Sequence, residues 1–111
     1  HKKGEWTASL DECRRVVGDD VRTFYHQGVF PATVDGLDDV QFCFVMVDPD
    51  TYQSVHAAIE WFWPRMVPGG KMFFDDYDWA PCAGVRKAVD EAFTEDQRKI
   101  FTECFTCVVT K

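Results

Sequence analysis

The sequence predicts one α/β domain organised around a parallel sheet. The segments 41–47 and 71–74, each a continuous apolar run after its first residue, have the composition of strands that are buried on both faces of such a sheet. An amphipathic stretch of helical period lies between them, and helices that alternate with buried strands are typical of α/β folds. The 111 residues suit a single domain, so residues 1–111 are predicted to form one unit.

The elements before the first buried strand are indicated by capping and composition. Ser9 and Glu12 match the two ends of a capping box, which predicts a short helix over residues 9–17. Residues 21–25 have the composition of a strand. A turn-rich segment then leads to the first buried strand at residues 41–47.

The later elements follow from helical periodicity and from helix-stop residues. Asp50 or Thr51 is predicted to cap a helix that ends at the Val-Pro-Gly-Gly segment 67–70. The apolar residues of this helix recur every three or four positions, at Val55, Ile59, Phe62 and Met66. A second apolar stripe predicts another helix, with Val85, Ala88, Val89 and Phe93 on one face. A last strand is expected over residues 101–110, so the predicted order is α-β-β-α-β-α-β.

The composition argues against several kinds of partner and location. A formal net charge of −7 is unsuited to binding a phosphate backbone, so no nucleic-acid partner is expected. No apolar run approaches the roughly 20 residues of a membrane span, and no signal peptide is evident. The five cysteines are an odd number, which indicates reduced thiols and a cytoplasmic location. Cys104 and Cys107 are expected to lie in the last strand as core residues that point to opposite faces.

Acidic residues follow both buried strands. Asp48 and Asp50 come after the first strand, and Asp75 and Asp76 come directly after the second. The carboxyl ends of parallel strands meet at one edge of a sheet, where α/β proteins bind ligands. Asp48, Asp75 and Asp76 are therefore predicted to hold one Mg²⁺ or Mn²⁺. Asp50 is predicted to act as a general base toward a substrate hydroxyl bound at the metal.

Each of these aspartates also suits a turn or a helix cap, and Asp50 has the position of a cap. The combination favours the metal hypothesis, because four like charges at one edge repel each other and a cation offsets that repulsion. Three aromatic residues close to the acidic clusters are candidates for substrate contact. Tyr52 and Tyr77 are predicted to form hydrogen bonds with a substrate, and Trp79 to contact an acceptor.

At these residues the chain resembles the macrocin O-methyltransferase family, S-adenosylmethionine-dependent enzymes that methylate sugar hydroxyls of natural products. The resemblance rests on short motifs in a shared order: residues 28–33 (GVFPAT), 47–54 (VDPDTYQS), 63–70 (WPRMVPGG), 74–77 (FDDY), 84–91 (GVRKAVDE) and, upstream, the KGEW of residues 3–6. It implies that Asp48, Asp75 and Asp76 hold Mg²⁺ and that Asp50 is the base.

The resemblance also implies a donor site, of which little is found in this sequence. Gln27, Gly28 and Val29 match the segment that would touch the adenine of S-adenosylmethionine. No G-x-G-x-x-G run occurs in the 111 residues, so the chain is expected to be the carboxyl-terminal half of a methyltransferase domain. Its fold would be a partial Rossmann-like class I methyltransferase sheet that lacks the first two strands of the order 3-2-1-4-5-7-6. That sheet is expected to be either rearranged or completed by a homodimer that covers its exposed edge.

The sequence thus favours a Mg²⁺-dependent, S-adenosylmethionine-dependent O-methyltransferase fragment. It would act on a sugar-containing small molecule and is expected to be inactive alone. One alternative is a non-enzymatic α/β module used for metal binding or assembly. A haloacid-dehalogenase-type phosphatase ranks lower, because Thr51 lies one position too early for that pattern and the Ser/Thr and Lys motifs are not evident.

Overall fold

A computed structural model describes residues 7–111, so residues 3–6, which contribute to the resemblance, lie outside the described residues. The helices and strands, in chain order, are α1 (Leu10–Val17), β1 (Phe42–Val47), α2 (Tyr52–Phe62), β2 (Met66–Phe74), α3 (Ala83–Ala92), β3 (Arg98–Phe101) and β4 (Thr106–Thr110). Short 3₁₀ turns connect several of them. None of the helices in this part of the chain is long and apolar enough to cross a membrane.

The strands of residues 7–111 form one mixed sheet in the order β1-β2-β4-β3. β1 and β2 are parallel and are joined through α2, whereas β3 and β4 form an antiparallel pair that adds to β2 through β4. Val47 pairs with Phe74, and the amide of Asp75 donates to the carbonyl of Val47 at 3.0 Å. The two parallel strands therefore end side by side, and the predicted α/β class is confirmed.

The core lies between the sheet and the helices α2 and α3. Both predicted apolar stripes contribute to it, since Val55 and Ile59 of α2 and Val85 and Val89 of α3 are buried. The sheet residues in the same cluster are Val45, Val47, Met66, Met72, Phe74, Cys107 and Val109. On β1 the alternate side chains lie outside the core, and Phe44 and Met46 are each 57% exposed, so the prediction that this strand is buried on both faces is wrong.

The helix α1 forms where the capping box predicts it. The amide of Glu12 donates to the hydroxyl of Ser9 at 3.2 Å, and the amide of Ser9 donates to the carboxylate of Glu12 at 2.7 Å. The helix ends at Gly18, whose positive φ of 97° is a conformation that glycine adopts without strain. None of the α1 residues is buried, so the local caps, rather than packing, account for this helix.

The predicted strand over residues 21–25 is wrong. This segment is a turn and an irregular stretch, with Val21 92% exposed and Phe24 77% exposed. Strand composition is not sufficient, because an extended backbone also needs a neighbouring strand to which it can hydrogen bond.

The boundaries around Pro64 also differ from the prediction. The helix α2 ends at Phe62 and Pro64 lies in a 3₁₀ turn, so Met66 begins β2 instead of extending the helix. The strand continues through the Pro-Gly-Gly segment because Lys111 pairs with it there. The amide of Gly69 donates to the carbonyl of Lys111 at 3.0 Å, and the amide of Lys111 donates to the carbonyl of Gly70 at 2.9 Å.

The predicted final strand over residues 101–110 does not form as one strand. Its second half is β4, whereas Thr102–Cys104 form a 3₁₀ turn and the chain turns at Phe105, whose φ is 55°. A further strand, β3, precedes the turn and pairs with β4. Cys104 lies in this turn and is exposed, so its prediction as a core strand residue is wrong. Cys107 lies in β4 and is buried, as expected.

Phe93→Ala is expected to lower the free energy of unfolding by about 3–5 kcal/mol, because a large core side chain is removed. The ring of Phe93 lies 4.8 Å from that of Trp63 and 6.0 Å from that of Phe74, between centroids. Urea unfolding measures the loss. The control is Phe24→Ala, which should change stability by less than about 0.5 kcal/mol. Equal losses in the two variants would contradict the assigned core.

Candidate functional site

Three of the predicted acidic residues lie together at the carboxyl edge of the parallel strands. Asp48 directly follows β1, and Asp75 and Asp76 directly follow β2. Partial burial raises the pKa of Asp48, and further increases come from the charge of Asp75, a hydrogen bond with Asp75, and the charges of Asp76 and Asp50. The neighbouring carboxylates therefore favour the protonated form of Asp48.

The backbone at Asp76 turns the chain so that this carboxylate remains in the cluster. Asp76 has a φ of 54°, a left-handed conformation that aspartate tolerates better than most residues. Its pKa is raised by burial and then by the charges of Asp75 and Asp50. The thiol of Cys82 donates to its carboxylate at 3.8 Å, which partly offsets those effects.

Asp50 is not the cap of α2. Thr51 is the N-cap, and its hydroxyl accepts from the amide of Ser54 at 3.4 Å. The capping alternative for Asp50 is therefore wrong. Possible ligand atoms of Asp50, Asp76 and Cys82 lie within 4.8 Å of one another, which places Asp50 at the acidic edge. Among the described residues, this close group contains only Asp76 of the three predicted metal ligands.

Sequence reasoning missed two residues of this site. The sequence assigns no role to Cys82, which is expected in a loop, or to Thr106. Cys82 is buried just before α3, and burial, followed by the charges of Asp50 and Asp76, raises the pKa of its thiol. The hydroxyl of Thr106 donates to Asp75 at 3.3 Å. The position of Cys82 between the acidic turn and a helix was the only sequence signal, and Thr106 had none.

The donor atoms suit a hard divalent cation. Asp48, Asp75 and Asp76 offer carboxylate oxygens, the ligands that Mg²⁺ prefers, and their mutual repulsion would be relieved by a cation. The thiol of Cys82 has a raised pKa and is a soft donor, so it suits Mg²⁺ poorly and serves as a hydrogen-bond donor to Asp76. Within residues 7–111, no lysine, arginine or histidine forms an ion pair with any of these three carboxylates.

The structure brings two of the three predicted cofactor-binding residues to this edge. Gly28 and Val29 line a cavity of about 430 Å³ together with Asp48 and Ser54. Its other walls are largely apolar and come from Phe30, from the end of β1 and the proline that follows Asp48, and from Ala58 and Phe62 of α2. Gln27 lines a different cavity, next to Cys13, so the structure does not place it with the other two.

The predicted substrate residues have different surroundings. The hydroxyl of Tyr52 donates to Glu91 at 2.6 Å, which joins α2 to α3. Tyr77 is only 2% exposed, and its hydroxyl donates to Asp90 at 2.5 Å, so its position favours a structural role. Trp79 is 39% exposed and borders a separate cavity. Substrate contact by the three residues stays a prediction.

Asp48→Asn is expected to stabilise the metal-free chain at neutral pH. The folded state raises the pKa of Asp48, so stability is lost as the pH rises through that pKa. Removing the charge should raise the free energy of unfolding by a few tenths to about 1 kcal/mol, the range of exposed charge pairs. Urea unfolding in the presence of a chelator tests this at neutral pH. In acid, where Asp48 is itself protonated, the gain in the free energy of unfolding should disappear.

The matched control is Asp39→Asn, which removes an exposed carboxylate outside the cluster. It should leave the free energy of unfolding nearly unchanged at both pH values. A loss of stability in Asp48→Asn at neutral pH would contradict the assigned repulsion.

The sequence model of the family described as Macrocin-O-methyltransferase (TylF) matches residues 11–107. No curated protein matches the chain. The matched segment includes all four aspartates of the acidic edge and covers most of the sequence. The chain therefore belongs to the macrocin-O-methyltransferase (TylF) family.

Proposed function

We propose that this chain forms the metal-binding and acceptor-binding part of a Mg²⁺-dependent O-methyltransferase that uses S-adenosylmethionine and modifies a sugar hydroxyl. The observation that carries the proposal is the gathering of Asp48, Asp75 and Asp76 at one sheet edge, in a chain of an O-methyltransferase family. Asp50 lies beside them at the start of α2.

Asp48, Asp75 and Asp76 would hold the cation, and Thr106 and Cys82 would orient two of these carboxylates through hydrogen bonds. When bound, Mg²⁺ would lower the pKa of an acceptor hydroxyl and so make its oxygen a better nucleophile.

Asp50 would receive the hydroxyl proton as the oxygen attacks the sulfonium methyl group. A bond forms between that oxygen and the methyl carbon while the carbon–sulfur bond breaks, which leaves S-adenosylhomocysteine as the second product. The position of Asp50 supports this role, because Thr51 supplies the helix cap and the Asp50 carboxylate faces the Asp76 side of the cluster.

The cavity beside Gly28 and Val29 is proposed to take the adenine of the donor. Its largely apolar walls suit a flat ring, and Asp48 borders it, so a donor bound here would lie next to the carboxylate edge. The strand order β1-β2-β4-β3 is that of strands 4, 5, 7 and 6 in the order 3-2-1-4-5-7-6, which supports a partial Rossmann-like sheet.

The remainder of the donor site is proposed to come from outside residues 1–111, because this sequence contains no Gly-rich phosphate-binding run. Alone, the chain would then bind the cation but have little or no activity.

The five free cysteines support a cytoplasmic location. Family membership favours methyl transfer over phosphatase chemistry.

A second candidate function is assembly. The strand β1 lies at the edge of the sheet, and the side chains of Phe44 and Met46 on it are largely exposed. An uncharged edge strand of this kind can pair with another strand, so a homodimer that covers β1 remains a proposal. A stable dimer that binds neither Mg²⁺ nor S-adenosylmethionine would favour this function over methyl transfer.

Calorimetric titration should show that the chain binds Mg²⁺. In Asp75→Asn the dissociation constant should rise at least about tenfold, which is a loss of about 1.4 kcal/mol in binding free energy. The reason is that one of three carboxylate ligands becomes a neutral amide. The control is Asp39→Asn, which should bind Mg²⁺ like the wild type. Equal binding by the wild type and Asp75→Asn would place the cation elsewhere.

S-adenosylmethionine should bind in the cavity beside Val29, and Val29→Glu should weaken binding at least about tenfold, because an adenine bound there would cover this side chain, now 83% exposed, and would bury the new charge. Val21→Glu is the matched control, since Val21 is an exposed valine that does not line this cavity. Calorimetry of both variants gives the comparison. If the wild type bound Mg²⁺ but not S-adenosylmethionine, residues 1–111 would contribute only the metal part of the site.

A further inference from the structure

The acidic edge carries a second set of potential metal ligands, which shares only one residue with the proposed Mg²⁺ ligands. This set is Asp50, Asp76 and Cys82, whose possible ligand atoms lie within 4.8 Å of one another. Asp76 is the shared residue. The proposed methyl transfer uses Cys82 only as a hydrogen-bond donor to Asp76, so the chemistry of its sulfur is not yet explained.

Three separate segments of the chain bring these side chains together. Asp50 lies just before α2, Asp76 lies in the turn after β2, and Cys82 directly precedes α3. Gly84 fixes the relation between the helices, because a Cβ atom there would lie 2.8 Å from the backbone nitrogen of Tyr52. The set is therefore assembled by tertiary packing, which holds a thiol and two carboxylates at one point.

The spacing of the sulfur and one carboxylate is close to that of two ligands on one metal ion. The Sγ atom of Cys82 lies 3.8 Å from a carboxylate oxygen of Asp76. With a zinc–sulfur distance of about 2.3 Å and a zinc–oxygen distance of about 2.0 Å, tetrahedral geometry separates the two ligand atoms by about 3.5 Å. A shift of a few tenths of an ångström would place both on one ion, and Asp50 is within reach as a third ligand.

The sulfur decides which cations this set prefers. A buried cysteine is most often a small apolar core residue, and Cys82 is only 1% exposed. Its sulfur nevertheless faces a carboxylate, which an apolar core role does not require. Thiolate is a soft ligand that favours Zn²⁺, whereas Mg²⁺ takes oxygen ligands. One sulfur and two carboxylates, with a fourth position left for water, are a set that suits Zn²⁺.

We propose that Asp50, Asp76 and Cys82 bind Zn²⁺, which competes with Mg²⁺ because both cations need Asp76. The thiol of Cys82 releases its proton to solvent as the zinc–sulfur bond forms. Zinc binding requires neither S-adenosylmethionine nor an acceptor. Its effect on catalysis rests on the proposed function: Zn²⁺ would occupy the proposed base, Asp50, and withdraw Asp76 from Mg²⁺, so it would inhibit methyl transfer.

The first test uses Co²⁺ as a spectroscopic substitute for Zn²⁺, with the thiols kept reduced. A cobalt–thiolate bond gives a charge-transfer band in the near ultraviolet, which carboxylate ligands alone do not give. The chain should develop this band, and excess Zn²⁺ should remove it. Cys82→Ser should lose the band, whereas Cys104→Ser, which removes an exposed thiol outside the set, should retain it. A band that persists in Cys82→Ser would overturn the assignment.

Calorimetric titrations of carboxylate variants separate the two sets of ligands without altering the buried thiol. Asp50→Asn should weaken Zn²⁺ binding at least about tenfold and weaken Mg²⁺ binding less. Asp48→Asn should show the opposite preference, and Asp76→Asn should weaken the binding of both cations. Equal Zn²⁺ affinity in the wild type and Asp50→Asn would overturn the proposed zinc ligands.

The zinc proposal and the proposed function can fail separately. A Cys82-dependent band in a chain that binds no Mg²⁺ would support the zinc ligands while the proposed function fails. Mg²⁺ binding without any cobalt band, in a chain that circular dichroism shows to be folded, would overturn the zinc ligands alone. If both cations bind, Zn²⁺ should lower the apparent affinity for Mg²⁺, and independent binding of the two would overturn the competition.

Discussion

The parallel pairing of β1 with β2 is the constraint on which the candidate site depends. Val47 lies opposite Phe74, and the hydrogen bond from the amide of Asp75 to the carbonyl of Val47 extends the pairing one residue further. Asp48 and Asp75 are therefore neighbours. A slip of two residues would move them apart by about 7 Å, and a slip of one would send one of them to the other face. The buried side chains of both strands fix the register, because they must face α2 and α3.

A second set of contacts holds the acidic turn in place. The hydroxyl of Tyr77 donates to Asp90, which also accepts from Arg98 and lies beside Arg86. Burial, followed by the hydrogen bond to Asp90, raises the pKa of Tyr77 to about 12, so the hydroxyl remains a proton donor at any ordinary pH. The residue that directly follows Asp76 is thus tied to α3 and, through Arg98, to β3. This explains how Asp76 keeps its left-handed conformation.

The close approach of α2 and α3 completes the arrangement. A Cβ atom at Gly84 would lie 2.8 Å from the backbone nitrogen of Tyr52, so only glycine lets the two helices meet at their first turns. This contact brings Cys82, just before α3, near Asp50, just before α2.

The sequence predicted α2, α3 and both acidic clusters, since periodicity and the ends of apolar runs are local signals. It did not predict the roles of Cys82 or Thr106, or the split of the last strand, because those depend on contacts between distant residues.

Two neighbouring regions of the molecule differ in whether their carboxylates are paired with basic side chains. At the strand ends, Asp48, Asp75 and Asp76 form no ion pair within the described residues, and the pKa of Asp48 and of Asp76 is raised. A few residues along the chain, Arg86 and Lys87 balance the acids around Trp79. A base beside the strand ends would stabilise the folded chain at neutral pH, because the raised pKa values of Asp48 and Asp76 oppose folding there. Within residues 7–111, Asp48, Asp75 and Asp76 have no such base in an ion pair, which is the charge pattern that the proposed cation would complete.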